Sequence, residues 1–201
     1  MTTMFRLIGL TGPTGAGKST VAAMLADRGI PIIDADNATR TVQAAGSPCL
    51  AALADAFGAD ILLADGSLDR KTLAARAFAD SESTARLNAI THPFILEEMN
   101  RRIDAAKASG ATAAVLDAPL LFEADLDRIC ALSMAVLSSP DRRKARICAR
   151  DALDDTAATV RMSAGKDDAF YRDRADIVLI NDGDIDSLNA QVSRLAAEVF
   201  V

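Results

Sequence analysis

The sequence predicts an α/β fold in which helices cover both faces of a five-stranded parallel sheet. A strand, a glycine-rich turn, a helix and a second strand follow one another within residues 5–33, and this order is typical of parallel strands with a right-handed crossover. Three more short apolar runs follow residue 111. Between the two groups lie about 70 residues of almost continuous helical pattern, which predicts a helical insertion.

Short apolar runs bounded by turn residues mark the five strands. The first strand, 5–10, ends at a turn of glycine, proline and threonine, and the second, 31–33, ends at Asp34. The later strands are predicted at 112–116, 131–137 and 176–180.

Capping residues and helical spacing mark the helices of the sheet layers. The first helix, 19–28, stops at Gly29, a residue that suits the left-handed position after a helix. Further helices are predicted from Ser139-Pro140, after Asp154-Asp155 and over residues 185–200.

Helical pattern fills residues 39–107 almost completely. Helix starts are predicted at Ser47-Pro48, after Asp69 and at Asp80 or Ser81, and His92-Pro93 separates the last helix, 94–108, from its predecessor. The residues alone leave two interpretations open. The segment is either an inserted subdomain that binds an acceptor or the helical layers of the core itself.

Charge, cysteine and histidine content exclude several classes of protein. Asp and Glu number 28 against 22 Lys and Arg, and a net charge of −6 argues against nucleic acid or an anionic membrane as a partner. One histidine and three widely spaced cysteines do not make a disulfide framework or a zinc site, so the cysteines are interpreted as small core residues. Because no apolar run approaches the ~18 residues that span a bilayer, the cytoplasm is the expected compartment.

The first turn carries the complete motif G-x-x-x-x-G-K-[ST] between a predicted strand and a predicted helix. This phosphate-binding loop (P-loop) predicts a three-layer P-loop NTPase core that binds a nucleoside triphosphate and Mg²⁺. Its glycines let backbone N–H groups point inward around an anion, Lys18 adds a cation for the β- and γ-phosphates, and Ser19 is placed to ligate Mg²⁺. The predicted nucleotide-binding residues here are Gly12, Pro13, Thr14, Gly15, Ala16, Gly17, Lys18, Ser19 and Thr20.

Other motifs narrow the class of NTPase. The guanine-reading segment N-K-x-D of GTPases is missing, and motor ATPases need a longer chain than this. The layout therefore favours a small-molecule kinase. A different P-loop nucleotide or metabolite kinase and a nucleotide-gated switch remain as alternatives.

Two carboxylates, Asp34 and Asp36, follow the second predicted strand. Ligands of parallel sheets lie at the carboxyl ends of strands. One carboxylate is therefore expected to accept the proton of an attacking hydroxyl, and the other to hold a metal-bound water or orient the first. The alternative is that either residue only caps the helix that follows.

Further segments make the chain resemble the dephospho-CoA kinase family over nearly its whole length. That family uses ATP to phosphorylate the 3′-hydroxyl of the ribose of dephospho-CoA, the last step of CoA synthesis. Besides the P-loop, the resemblance rests on Ile33-Asp34-Ala35-Asp36 with Arg40, His92-Pro93, Pro119-Leu120-Leu121-Phe122-Glu123, Arg146 with Arg150-Asp151, and residues 175–183.

The resemblance implies three parts. These are a P-loop core at 1–38, 111–140 and 172–201, a helical CoA-binding insertion at 39–110, and a lid at 141–171. The chain departs from the family pattern at Pro13, where the family has glycine, and at Gly165 and Tyr171, where it has glutamine and lysine.

The resemblance also implies roles for single residues. Asp36 matches the catalytic base and Arg150 a lid arginine that reaches the phosphates, so Asp36, Lys18 and Arg150 form the catalytic set. Asn181 and Gly183 match a turn near the adenine. Contacts with dephospho-CoA are assigned to Asp34, Asp36, Arg40, His92, Pro93 and Glu123.

The remaining charged residues are assigned from their positions. Asp34 is assigned to Mg²⁺ together with Ser19, and Asp117, directly after the third predicted strand, is a second metal candidate. Glu123 either orients the substrate or caps the next turn. Arg142, Arg143 and Lys144 are interpreted as a solvated helix face.

Overall fold

A computed structural model describes residues 5–200. Residues 1–4 and 201, at the ends of the predicted core segments 1–38 and 172–201, lie outside the described residues. The chain divides into two compact units. One comprises the residues up to Ile33 and from Ala106 onward, and the other spans Asp34–Ala105.

The sheet of the first unit has the strand order β2-β3-β1-β4-β5. β1 runs parallel to β3 and β4, and β4 runs parallel to β5. All five predicted strands form, each with bounds within one residue of the prediction, so the parallel α/β prediction is confirmed. The strands are β1 (Arg6–Thr11), β2 (Ile32–Asp34), β3 (Ala113–Asp117), β4 (Leu132–Leu137) and β5 (Ile177–Ile180).

Helices occupy most of the remaining described chain. They are α1 (Lys18–Ala26), α2 (Ala35–Val42), α3 (Pro48–Phe57), α4 (Arg70–Ala77), α5 (Ser81–Ala108), α6 (Pro140–Asp151), α7 (Asp155–Ser163), α8 (Asp168–Arg172) and α9 (Ile185–Val199), with 3₁₀ helices at Ala59–Ile61 and Leu126–Ile129. None of the helices between residues 5 and 200 combines the length and the apolar composition of a membrane-spanning segment.

Alternate residues of β4 face opposite layers, as expected for a strand buried on both sides. Met134 and Val136 pack with apolar residues of α1 and α9 on one face of the sheet. Ala135 and Leu137 pack on the other face against Tyr171 of α8, beside the rings of Phe122 and Phe170. This gives the predicted three layers, and it places Tyr171 in the core.

Helix caps explain why several predicted helix starts are correct. The side chain of Ser47 accepts a hydrogen bond from Leu50 N, that of Asp69 from Lys71 N and Thr72 N, and that of Asp154 from Ala157 N. Each cap binds N–H groups that have no partner inside the helix.

The predicted helix break at His92-Pro93 is wrong, because α5 continues through Pro93. A proline inside a helix costs about 3 kcal/mol, since it removes one backbone donor and crowds the preceding turn. Here apolar contacts hold the helix on both sides of the proline. Leu87 and Ile90 before it and Phe94 after it pack against the core of the second unit.

The second unit contains α2, α3, α4 and most of α5 around its own apolar core. Cys49, Leu53, Ile61, Leu73 and Ala77 are buried there, and Cys49 is the small core residue that the sequence predicts. Cys130 and Cys148 belong to the first unit and are only partly buried. The predicted insertion at 39–110 overlaps the second unit, and its assignment to CoA stays a prediction.

A nearly buried carboxylate, Glu98, joins two helices of the second unit. It accepts hydrogen bonds from Arg101 and Arg102, its neighbours on α5. The guanidinium of Arg102 continues to α2, where it donates to Asn37 Oδ1 at 2.9 Å and Thr41 Oγ1 at 3.0 Å. Hydrogen bonds from Arg101, followed by those from Arg102, lower the pKa of Glu98 to about 2 against the opposing effect of burial.

We expect Glu98→Gln to flatten the acid limb of the stability curve. A carboxyl whose pKa is lowered by folding stabilises the native state above its unfolded pKa of about 4.3, and this contribution is lost as the pH falls towards 2. Urea unfolding at several pH values between 5 and 2 should therefore show a steeper loss of unfolding free energy for the wild type than for Glu98→Gln. The exposed neighbour provides the control, since Glu97→Gln should follow the wild-type curve. Parallel curves for all three proteins would contradict the assignment.

Candidate active site

The loop between β1 and α1 has the conformation that the P-loop motif predicts. Gly17 caps α1 with a left-handed φ of 100°, and a Cβ atom there would strike the side-chain amide of Asn181. Gly12 has a φ of 147°, and a Cβ there would strike the carbonyl oxygen of Val136. Glycine at these two positions is thus required by both backbone conformation and space.

Side chains bind three consecutive carbonyl oxygens of this loop. Arg143 Nε donates to Thr14 O at 3.0 Å. Arg146 Nη1 donates to Gly15 O at 3.3 Å and Ala16 O at 3.2 Å, and Asn181 Nδ2 donates to Ala16 O at 2.8 Å. Because C=O and N–H point in opposite directions within a planar peptide group, this leaves the N–H groups of Gly15 and Gly17 directed to the other side. Such N–H groups form an anion-binding concavity. The N–H group of Ala16 instead donates to Pro13 O at 3.1 Å within the loop.

Lys18, the first residue of α1, forms an ion pair with Asp117, the last residue of β3. The two side chains are only 19% and 12% exposed. The next residue of α1, Ser19, is exposed. Asp117 therefore lies beside Lys18, the cation that is predicted to bind the phosphates. The sequence signal for this placement is the position of Asp117 at the end of β3, the strand next to β1.

Ser19 and Asp117 offer the hard oxygen donors that Mg²⁺ prefers. Within residues 5–200, no group of three or more His, Cys, Asp or Glu could hold a metal ion. Mg²⁺ usually takes one or two protein oxygens and completes its shell with waters and substrate phosphates. This sparse donor set beside a P-loop therefore fits Mg²⁺ bound together with a nucleotide.

The interpretation of Arg143 as part of a solvated face is wrong. Its side chain is buried, and besides Thr14 O it binds the Asp168 carboxylate at 3.0 Å. Arg142, Arg143 and Lys144 are consecutive, so they cannot share one face of α6. The residues of α6 that face the loop are Arg143 and Arg146, which are three residues apart. The sequence analysis assigned neither of them to the loop.

Arg150 lies at the end of α6 and forms a bidentate pair with the adjacent Asp151, with both N–O distances at 2.8 Å. Its hydrogen bond to Asp151 raises the pKa of Arg150 and lowers that of the carboxyl. Arg161 of α7 binds the same carboxylate at 2.7 Å. The described hydrogen bonds of Arg150 thus lie within α6, and its role at the phosphates stays a prediction.

The turn at 181–183 is anchored to both the P-loop and α6. Asn181 is buried, with its amide on Ala16 O. Asp182 accepts hydrogen bonds from Ser139 N at 2.7 Å and Ser138 Oγ at 2.9 Å, which lower the pKa of its carboxyl. Gly183 is exposed. The structure therefore places this turn beside the predicted nucleotide site, where its contact with adenine stays a prediction.

The candidate acceptor residues of the second unit lie on two helices. Asp34 caps α2 by accepting a hydrogen bond from Asn37 N at 2.8 Å, which is the alternative role raised for it above. Asp36 and Arg40 lie on α2 itself and are exposed. His92 and Pro93 are exposed residues of α5.

Glu123, the remaining candidate, belongs to the first unit. It is exposed in the turn that follows β3. Tyr171 packs nearby in the core, where burial raises its pKa and the Glu123 charge adds to this effect. Tyr171 therefore has a packing role at the position where the family pattern has a lysine.

Comparison with known proteins identifies the family. Residues 6–187 match the family model described as dephospho-CoA kinase. A protein from Corynebacterium efficiens named dephospho-CoA kinase is 47% identical over 193 residues, which cover 96% of each chain. Its namesake from Anaeromyxobacter dehalogenans is 40% identical over 194 residues, which cover 96% of this chain and 92% of the other.

Solved structures agree with this fold. A crystal structure from Thermus thermophilus has a TM-score of 0.80 and 30% identity over 98% of both chains. The dephospho-CoA kinase from Campylobacter jejuni, at a TM-score of 0.65 and 20% identity over 98% of both chains, shares the fold. The match to the family model and to relatives over almost the whole length shows that this chain belongs to the dephospho-CoA kinase family.

Proposed function

We propose that this chain transfers the γ-phosphoryl group of ATP to the ribose 3′-hydroxyl of dephospho-CoA, giving CoA and ADP, the final step of CoA synthesis. The observation that carries the proposal is a complete phosphate loop in a chain whose residues 6–187 match the model of the dephospho-CoA kinase family. The net charge of −6 favours a small-molecule acceptor over a nucleic-acid or membrane partner. The compartment proposed for this reaction is the cytoplasm.

Phosphoryl transfer depends mainly on positioning and on stabilisation of negative charge. The loop N–H groups and the N-terminus of α1 bind the phosphates, and Lys18 supplies a cation at the β- and γ-positions. Ser19 would hold Mg²⁺ together with Asp34 or Asp117, and the ion would neutralise phosphate charge. Of these two carboxylates, Asp117 is the better supported as a ligand, because its ion pair with Lys18 holds it beside the phosphate loop.

On the acceptor side, Asp36 takes the proton of the 3′-hydroxyl as general base. Arg40, four residues further along α2, supplies a cationic contact for dephospho-CoA. His92, Pro93 and Glu123 contribute further contacts with the acceptor. The insertion at 39–110 then binds CoA, and the lid at 141–171 carries Arg150 to the phosphates.

ADP release across a panel of acceptors tests the function and separates it from that of another P-loop kinase. Dephospho-CoA should react fastest among dephospho-CoA, AMP, shikimate, gluconate, uridine and water. Mass spectrometry and ³¹P NMR should identify the product as CoA phosphorylated on the ribose 3′-oxygen. Faster transfer to AMP or to a sugar acid would replace the proposal with the alternative kinase. ATP turnover that no acceptor stimulates would favour the nucleotide-gated switch.

Replacement of Asp36 tests the general base. Asp36→Asn keeps the size of the side chain but cannot accept a proton, so turnover should fall by roughly 10²- to 10⁴-fold with ATP affinity little changed. Asp34→Asn is the matched variant, because Asn caps helices as well as Asp does. The main effect of Asp34→Asn should be to raise the Mg²⁺ concentration that activity requires. If Asp34→Asn were inactive and Asp36→Asn active, the two roles would be exchanged.

Replacement of Arg150 tests the lid. Arg150→Ala should lower turnover more than ATP affinity, and Arg150→Lys should restore only part of it, since lysine lacks the planar fork. Asp151 keeps Arg161 as its partner in both variants, so the fold should survive. The exposed Arg142 of the same helix is the control, and Arg142→Ala should be nearly silent. If Arg142→Ala lost turnover and Arg150→Ala did not, the role at the phosphates would be assigned to Arg142 instead of Arg150.

A further inference from the structure

The helix that carries Asp36 and Arg40 is too short to hold its own position. α2 has 8 residues, whereas isolated helices of fewer than ~12 residues are barely stable in water. It begins directly after β2, at a cap formed by the side chain of Asp34. The direction in which Asp36 and Arg40 project must therefore be set by contacts with neighbouring elements.

One guanidinium group supplies three such contacts. Arg102 of α5 donates to the backbone oxygen of Asp34 at 3.3 Å, to Asn37 Oδ1 at 2.9 Å and to Thr41 Oγ1 at 3.0 Å. These acceptors are spaced three and four residues apart, so they follow one face of α2 from its cap to its last turn. Asp36 and Arg40 are spaced four residues apart on a different, exposed face.

Arg102 is itself held by a buried anion. Its Nε donates to Glu98 Oε1 at 2.7 Å, and the side chains of Arg102 and Glu98 are only 21% and 9% exposed. A guanidinium has five donors in a rigid plane, so it can bind a carboxylate and several helix groups at the same time. The ammonium group of a lysine is a single point of charge and cannot reproduce this set.

The neighbouring arginine provides a natural comparison. Arg101 binds the same carboxylate through two bonds, at 2.7 and 2.8 Å, and its side chain is 66% exposed. Its hydrogen bonds go to Glu98, whereas those of Arg102 go on to α2. The two side chains thus share an anion and differ in whether they reach the helix of the candidate base.

We propose that Arg102, held in place by Glu98, is a positioning residue that fixes α2 so that Asp36 and Arg40 meet the acceptor in a productive geometry. This inference rests on the acceptor-side roles proposed above for Asp36 and Arg40. Arg102 contacts the backbone and polar side chains of α2, and it acts on the reaction only through the placement of that helix.

Steady-state kinetics of Arg102→Ala, Arg102→Lys and Arg101→Ala test the proposal. Misplacement of reacting groups by about 1 Å can cost about 10²-fold, so Arg102→Ala should lower kcat/KM for dephospho-CoA by roughly that factor. The KM for ATP and the slow hydrolysis of ATP without acceptor should stay within about twofold of wild type, because the P-loop is untouched. Arg102→Lys should recover part of the loss, and Arg101→Ala should resemble the wild type.

Amide hydrogen exchange over residues 35–42 reports on the helix without any substrate. Arg102→Ala should speed exchange there by at least about tenfold, and Arg101→Ala should not. If Arg102→Ala does not fold, Arg102→Lys carries the same comparison. The proposal is overturned if the Arg102 and Arg101 variants behave alike in both measurements. It is also overturned if Arg102→Ala changes the KM for ATP and the acceptor-free hydrolysis of ATP as much as it changes kcat/KM for dephospho-CoA. A wild type that does not phosphorylate dephospho-CoA would refute the proposed function, and the exchange data would still decide whether Arg102 fixes α2.

Discussion

The phosphate loop imposes the constraint on which the first unit depends. Its N–H groups must face an anion, so its carbonyl oxygens need partners on the opposite side. A carbonyl left without a partner away from water costs about 1–3 kcal/mol, so three consecutive ones would remove a large share of the roughly 5–15 kcal/mol that stabilises a typical domain. Arg143, Arg146 and Asn181 supply the donors, which requires α6 and the end of β5 to lie beside the loop. The strand order, with β4 and β5 on one side of β1, provides this arrangement.

This solution places a cation in the protein interior, where a charge is costly unless it is paired. The Asp168 carboxylate neutralises Arg143, and Thr14 O accepts another of its donors. One side chain of α6 thereby joins the loop to α8. Within residues 5–200, every buried side-chain nitrogen or oxygen has a hydrogen-bond partner, so the buried charges fit this fold without an unpaired polar group. The conformation of the loop and the packing of the segment proposed as a lid are therefore coupled through Arg143.

The sequence predicts what local rules determine. The five strands are short apolar runs between turn residues, and Ser47, Asp69 and Asp154 cap helices as expected. The failures depend on tertiary contacts. Pro93 does not end α5, because packing on both sides outweighs one lost hydrogen bond. Arg143 is buried because Asp168, distant in sequence, pairs with it, and no local pattern shows which arginine of α6 finds such a partner.

The second unit uses the same device, a guanidinium that joins a carboxylate to helix acceptors. There Arg102 donates hydrogen bonds to Glu98 and to three acceptors on α2 and its cap residue. Asp34 contributes twice, since its carboxylate caps α2 and its backbone oxygen accepts from Arg102. Capping engages one of its carboxylate oxygens, and the other keeps lone pairs for a metal-bound water. Capping and function are thus compatible at Asp34, although the sequence analysis set them against each other. A substitution at Asp34 that removes the cap should therefore also act on Asp36, and the effects of these two changes on turnover should not add. Asp34→Asn keeps the cap and the backbone oxygen, so its effect on turnover is separate from that of Asp36.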